Sequence, residues 1–425
     1  MSADNGTTGR RERACVKCGQ CMSVCPVFKA THDEADVARG KLAVLDLARG
    51  KPDATWVGTV ENTLSRCLQC GACEHHCANR VRAPEAIRAG RRELFRHKGH
   101  GALRRVQLDL LTGEGPFPGI LRRGGSLLEG LFAGKPDPKS GLYLRFPLSY
   151  FTGRKTAPGF HHPPFTDRVA GAGRASARGS SVVYFAGCGA NHLHPGIGDS
   201  LLALCEACDI PVAVPRNQGC CGMPHWSSGD VETARELARR NMKALAGDDR
   251  VVATCASCAH CLRSYPEMFE PGTADRARAE DLSGRVADAC EMVGKGLEDR
   301  EDVLGRIPAG GDRPRVYYHE PCHLRFGPAA STAPRELLES MEDRIELVDS
   351  TDAQGCCGHG GSFNLSHLDL SNRILDDKFR RIAHLEPDRI VSGCTGCLLQ
   401  LTEGAARSGL DARVCHPLEI LADYL

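Results

Sequence analysis

Short apolar runs and helical repeats alternate along the second half of this 425-residue chain. The runs "SVVYFAGCG" (181–189), "IPVAVP" (210–215) and "RVVATC" (250–255) have the length and β-branched content of buried strands. Between them, residues 196–208 and "VETARELARRNMKALAG" (231–247) carry apolar positions every three or four residues, which predicts helices. The pattern then recurs. "RVYYHEPCH" (315–323), "RIELVD" (344–349) and "DRIVSGC" (388–394) predict strands, and "APRELLESME" (333–342) and "HLDLSNRILDDKFRRIAHL" (367–385) predict helices. Such alternation predicts an α/β fold of two repeated parallel-sheet modules with right-handed crossovers. Sites in such sheets form beyond the carboxyl ends of the strands.

The first quarter of the chain has helical spacing instead, as in "DVARGKLAVLDLARG" (36–50). In "AIRAGRRELFRHKGHGALRR" (86–105), Arg88, Arg91, Arg92, Arg96, Lys98, Arg104 and Arg105 are set against Glu93 alone. The plain expectation is a solvated helix; the sharper one is a docking face for a partner subunit or an anionic membrane. Residues 112–180 are rich in Gly and Pro, which predicts an extended connector with few regular elements. "GAGRASARGSS" (171–181) reads as a flexible hinge, and its G-x-G lacks the strand and helix of a dinucleotide fingerprint.

Composition changes this picture at one residue type. The chain has 23 cysteines, while a net charge of +1 and 5% aromatic residues give no reason to expect a nucleic-acid partner. The N-terminus has no apolar core for a signal peptide, and no run reaches the ~18 apolar residues of a membrane span. The expectation is a cytoplasmic protein, free or at the inner face of the membrane, whose many reduced cysteines hold metal.

The spacing of the cysteines narrows the metal. Cys15, Cys18, Cys21 and Cys25 with Pro26 form C-x2-C-x2-C-x3-C-P, the bacterial ferredoxin run for a [4Fe–4S] cluster, and Cys67, Cys70, Cys73 and Cys77 repeat it. Three cysteines in one tight loop can cap three corners of a cubane, and the fourth can reach a second cluster. By analogy with two-cluster ferredoxins, Cys15, Cys18, Cys21 and Cys77 form one ligand set, and Cys67, Cys70, Cys73 and Cys25 the other. Ala78 stands where the second motif would have proline. Zinc also takes thiolates, but zinc ribbons use separated C-x2-C pairs.

Each parallel-sheet module carries five more. Module one has Cys188, Cys220, Cys221, Cys255 and Cys258, and module two has Cys322, Cys356, Cys357, Cys394 and Cys397. The spacings are C-x31-CC-x33-C-x2-C and C-x33-CC-x36-C-x2-C. All ten fall after predicted strands, so distant loops can converge on one site per module. A cubane uses four ligands, so a fifth sulfur suggests a bridging thiolate or an open cluster; zinc with a spare cysteine is the alternative. Glycines flanking the pairs permit sharp turns, and backbone N–H groups there could stabilise anionic sulfur. His225, His319, His323 and His359 lie within a few residues of these cysteines; His319, His323 and His359 are the candidates for proton delivery. Cys205, Cys208, Cys261, Cys290 and Cys415 lie outside the motifs and read as buried thiols, Cys261 being the strongest candidate for an extra ligand.

On these motifs the chain resembles the CCG-domain iron–sulfur oxidoreductases. That family includes heterodisulfide reductase subunits and the iron–sulfur subunits of glycolate oxidase, lactate dehydrogenases and anaerobic glycerol-3-phosphate dehydrogenase. The resemblance covers nearly the whole chain, including "RCLQCGACEHHC" and the closing "CHPLEILADYL". It implies an N-terminal helix-rich ferredoxin domain with two cubane [4Fe–4S] clusters, and a non-cubane [4Fe–4S] cluster on the five cysteines of each CCG module. The expected domains are 1–105 (ferredoxin-like), 106–180 (connector), 181–310 (first module) and 311–425 (second module). The implied function is an electron-transfer subunit working with a flavoprotein that oxidises a 2-hydroxy acid, passing electrons towards quinone or another acceptor. The alternative is a catalytic disulfide-cleaving subunit with a membrane cytochrome b-type partner.

Overall fold

A computed structural model describes residues 15–48, 54–112, 133–137, 141–144, 156–157, 161–171, 182–247, 249–298, 300, 303, 313–349 and 355–425. The hinge expected at 171–181 and most of the expected connector fall outside these residues.

Among its described residues, the regular elements of the ferredoxin-like unit are all helices. Short helices follow the cysteine loops at Gln20–Val24, Pro26–Thr31 and Ala72–His75, and longer ones span Ala38–Ala48, Ala54–Ser65 and Ala83–Lys98. Pro26 sits at the first turn of its helix, where its missing N–H costs nothing. Ala78 instead lies in a turn closed by Arg80 N–H donating to the Cys77 carbonyl (2.9 Å). The absent proline therefore coincides with an absent helix.

Among the described residues the Gly/Pro-rich stretch carries a few short regular elements. The helix Ala102–Thr112 ends where that stretch begins, and a three-stranded antiparallel sheet follows: β1 (Ala133–Asp137), β2 (Gly141–Leu144) and β3 (Thr156–Ala157). The sheet is tied to module two where Thr156 donates through N–H and Oγ1 to Glu403 Oε2 (2.8 and 2.7 Å). Both groups are buried, so the bonds satisfy a carboxylate that burial would otherwise penalise.

The two modules are parallel four-stranded sheets. In module one β4 (Val182–Phe185), β5 (Val212–Ala213), β6 (Arg250–Ala253) and β7 (Val286–Asp288) lie in the order β5-β4-β6-β7. In module two β8 (Arg315–Tyr318), β9 (Glu346–Leu347), β10 (Arg389–Val391) and β11 (Arg413–Cys415) lie in the order β11-β10-β8-β9. All pairings in both sheets are parallel. The central strands are largely apolar and buried, which suits sheets covered by helices on both faces. Two apolar clusters run through both modules, one containing Val183, Tyr317 and Ile390, the other Tyr184, Val316 and Val391, so the repeats share one interior.

The basic helix is neither solvated nor free for docking along its whole length. Arg91 reaches the carbonyls of Leu64, Cys67 and Ser227, and Arg88 pairs with Glu267 (3.0 Å) and stacks over Trp226 (4.1 Å). Arg104, on the following helix, donates to the Ser362 carbonyl and to the hydroxyls of Ser362 and Ser366. These arginines clamp the ferredoxin-like unit onto both modules.

Candidate metal centres

The ferredoxin loops bring cysteines of both motifs close to one another. Cys15 and Cys77 pack with Cys73 against Leu42, Val81, Ala83 and Ala86. Cys25 caps the helix Pro26–Thr31, and its sulfur reaches towards the Asp36 carbonyl (3.8 Å). Cys67 is a charged neighbour of both Cys25 and Cys73, and Cys25 of both Cys70 and Cys73. Cys18 is exposed to solvent, whereas Cys70 packs with Cys356 at the junction with module two. Gln69 Nε2 donates to Cys67 Sγ (3.5 Å) from inside the motif.

In both modules the first cysteine of each C-x2-C caps a helix: Cys255 for Ala256–Ser264 and Cys394 for Thr395–Ser408. The positive ends of both helices therefore face the sulfurs. The cysteine pairs sit in tight turns in which Gly222 N–H points to Cys220 Sγ (3.4 Å) and Gly358 N–H to Cys356 Sγ (3.3 Å). Module one's Cys220, Cys221, Cys255 and Cys258 are buried, as are Cys357, Cys394 and Cys397 of module two. Cys357 and Cys397 lie 3.4 Å apart, with His319 within 4.8 Å of both.

The two sets meet. Cys255 Sγ is 3.8 Å from Cys394 Sγ, and the Ala256 N–H donates to the Gly393 carbonyl (2.9 Å). Ser257 Oγ lies 3.3 Å from Cys394 Sγ, and Thr395 Oγ1 donates to Cys255 Sγ (3.3 Å), so each module supplies a hydroxyl to the other's sulfur. On the other side, Cys70 of the ferredoxin-like unit lines one cavity of about 540 Å³ with Cys322 and Cys356.

The sulfurs of module two differ in acidity. Contacts with Cys356, Cys397 and His319 lower the pKa of the Cys357 thiol well below its usual range, and contacts with Cys255, Cys397 and Ser257 do the same for Cys394. Cys356, donating to Cys322 and Cys357, is pushed well above it, as is Cys397 by Cys357 and Cys394. Crowded buried thiols cannot all ionise unless a cation joins them.

The histidines divide into different roles. His319 is buried against Cys357 and Cys397, and its backbone N–H donates to the Val391 carbonyl (2.7 Å). His323 Nδ1 meets Ser257 Oγ (3.0 Å), its Nε2 lies 3.4 Å from the Gln69 carbonyl, and its ring stacks on His260 (4.3 Å). It thus touches all three units, and burial lowers its pKa. The His359 ring packs beside Gly396, between Cys394 and Cys397, closely enough that a Cβ on Gly396 would lie 3.0 Å from it. His225 instead pairs with Asp230 (3.1 Å) and closes a turn.

Of the cysteines outside the motifs, Cys205, Cys208, Cys290 and Cys415 are buried. Burial pushes Cys205 and Cys415 up to about 12, which suits inert core thiols. Cys261 donates to the Cys221 carbonyl (3.1 Å), so it braces the pair from behind. Ser257, Thr395 and Gln69 escaped the sequence reading although they stand inside C-x2-C motifs, a position that marks them as neighbours of sulfur.

The donor chemistry fits iron–sulfur clusters. All 23 cysteines are free thiols, and those of the two modules meet beside helix ends, hydroxyls and N–H donors. The fold and these groups define a protein that carries iron–sulfur clusters on a ferredoxin-like unit and two cysteine-rich modules.

Comparison with known proteins agrees. The cysteine-rich domain family matches residues 182–263 and 316–402, and the 4Fe-4S dicluster domain matches residues 12–81. The probable glycolate oxidase iron-sulfur subunit of Bacillus subtilis is 28% identical over 94% of this chain and 90% of its own length. Lactate utilization protein A of Geobacillus kaustophilus is 32% identical over 56% of this chain and 98% of its own length. A fumarate reductase (CoM/CoB) subunit of Methanothermobacter marburgensis is 26% identical over 97% of this chain and 72% of its own length. The chain belongs to the CCG-domain iron–sulfur oxidoreductase family. No helix among the described residues is long and apolar enough to cross a membrane.

Proposed function

We propose that this chain is the iron–sulfur electron-transfer subunit of a flavin-dependent 2-hydroxy-acid oxidase or dehydrogenase, acting on glycolate or lactate through a partner flavoprotein. The observation that carries the reading is the unbroken row of sulfurs through three units. Cys70 shares a cavity with Cys322 and Cys356, and Cys394 touches Cys255. When bound, iron–sulfur clusters supply one-electron carriers at these positions. The ligand sets would be Cys15, Cys18, Cys21 and Cys77; Cys67, Cys70, Cys73 and Cys25; and the five cysteines of each module, as non-cubane sites.

The chain's own residues do the rest. The Gly222 and Gly358 N–H groups and the Ser257 and Thr395 hydroxyls stabilise negative charge on sulfur, and the buried setting excludes water. In this reading His319, His323 and His359 would hold protons near module two. Electrons would leave towards quinone or another acceptor.

One observation favours a second reading. Both modules keep all five cysteines and the two sets are in contact, so a disulfide could be divided between them, as in a heterodisulfide-reductase-like catalytic subunit with a membrane cytochrome b-type partner. The deciding test is anoxic purification of the native complex, followed by addition of glycolate, lactate or disulfides. The first reading predicts a flavin-containing partner and cluster bleaching by a 2-hydroxy acid. Disulfide turnover without that response would overturn it in favour of the second.

A further inference from the structure

The guanidinium of Arg91 presents an unusual balance of charge. It is partly buried at the junction of the ferredoxin-like unit and module one, where burial penalises a cation. Its hydrogen-bond partners are all backbone carbonyls: Leu64 (2.6 Å), Ser65 (3.3 Å), Cys67 (2.7 Å) and Ser227 (2.7 Å). Among the described residues no carboxylate pairs with it. Its charged neighbours are the Cys67 sulfur and a second cation, Arg88.

A second surplus lies beside the same Cys67 sulfur. Lys41 is 1% exposed, donates to the Asp36 carbonyl (2.6 Å) and sits 3.6 Å from the Asp36 carboxylate. That single carboxylate also pairs with Arg66 (3.1 Å), so two cations share one anion. Besides Asp36, Lys41 has the Cys67 and Cys25 sulfurs as its anionic neighbours. Cys67 thus neighbours both Arg91 and Lys41, and Cys25 neighbours Lys41, where cations outnumber carboxylates.

The other ferredoxin position differs. Cys18 is exposed, the adjoining Val16 is 70% exposed, and Arg39 beside Gly19 is already paired with Glu34 (2.9 Å). Charge there is screened by water and salt.

We propose that Arg91 and Lys41 are the counter-charges of the cluster position formed by Cys67, Cys70, Cys73 and Cys25, and make it the higher-potential of the two ferredoxin positions. The inference rests on the iron–sulfur reading above. A thiolate-ligated cluster gains negative charge on reduction, so fixed cations in a low-dielectric setting favour its reduced form. Neither residue need touch iron. Both are positioning residues that act through charge.

The test is an EPR-monitored redox titration of the full-length, iron-loaded chain with dithionite, on Arg91→Gln, Arg91→Lys and Lys41→Met. A Cys67→Ser variant identifies the signal belonging to this position. Arg91→Gln and Lys41→Met should each shift its reduction equilibrium at least tenfold towards the oxidised form, about 59 mV for one electron. Arg91→Lys should recover most of that shift, and the other ferredoxin signal should stay in place. Iron-loaded Gln and Met variants with unmoved potentials would overturn the proposal, as would equal shifts at both positions. Should Arg91→Gln lose iron at this position, retention by Arg91→Lys supports the counter-charge role, and loss in both shows a purely geometric tether and overturns it. A wild-type chain without iron would fail the iron–sulfur reading itself, a separate result.

Discussion

Gly358 adopts φ of +85°, and a Cβ at that position would lie 2.8 Å from the Ser371 carbonyl oxygen. Its counterpart Gly222 has φ of +89°. The left-handed turn after each cysteine pair is what aims a backbone N–H back at the first sulfur, and only glycine takes it without strain. Gly358→Ala should destabilise the chain by about 1–3 kcal/mol in anoxic denaturant unfolding and weaken iron retention in module two. At the pair itself, Cys357→Ser should change the module-two EPR signal and leave the ferredoxin-type signals intact. An unchanged module-two signal would remove Cys357 from the ligand set.

At this scale much of the site was legible in the sequence. Cysteine spacing alone singled out Cys255, Cys357, Cys394 and Cys397, whose sulfurs lie in contact, because metal ligation constrains residue type and interval together. The glycines beside each pair were also readable as turn formers. The hydroxyls of Ser257 and Thr395 were not, since each acts on the sulfur of the opposite module and no local pattern encodes that pairing.

Among the elements, the closing helix Pro417–Ala422 depends on a histidine. His416 Nδ1 accepts from the Leu418 N–H (3.2 Å), while Glu419 Oε2 accepts from the His416 N–H (2.8 Å), a capping box. Accepting requires a neutral ring, and burial lowers its pKa to about 4. Between about 4 and the ordinary histidine value near 6.5, the unfolded chain binds more protons than the folded one, so stability rises with pH there. His100 and His194, also lowered to about 4 chiefly by burial, act in the same direction. The melting temperature should fall as pH drops from about 7 to about 5. His416→Asn, which keeps a capping side chain without a titrating ring, should reduce that fall.

The elements also show where pattern reading stops. The strands β4, β6, β8 and β10 stood out because each is a continuous apolar run beside a cysteine motif. β7 did not, since Val286–Asp288 is three residues between two helices and is defined by pairing with β6. The antiparallel strands in the Gly/Pro-rich stretch likewise owe their existence to partners, not propensity.

For the whole molecule, three units are held by arginines that composition would assign to a surface. Arg88 stacks on Trp226 and pairs with Glu267 across the boundary between the ferredoxin-like unit and module one. Glu267 is 41% exposed, so the ion pair adds little and the ring contact carries most of the effect. Arg88→Ala should cost about 1 kcal/mol and raise the rate of limited proteolysis near this boundary, with iron content retained. None of this was legible in advance: a cationic helix facing solvent and one facing carbonyls and a tryptophan have the same local pattern. The contact between Cys255 and Cys394, 139 positions apart in the chain, was equally out of reach.

The central claim is that four iron–sulfur positions lie in contact along one chain. It is tested most directly by counting iron, zinc and inorganic sulfide in the anoxically purified protein. The account predicts about sixteen irons with a matching amount of sulfide, about four at each position. Zinc without inorganic sulfide would contradict it.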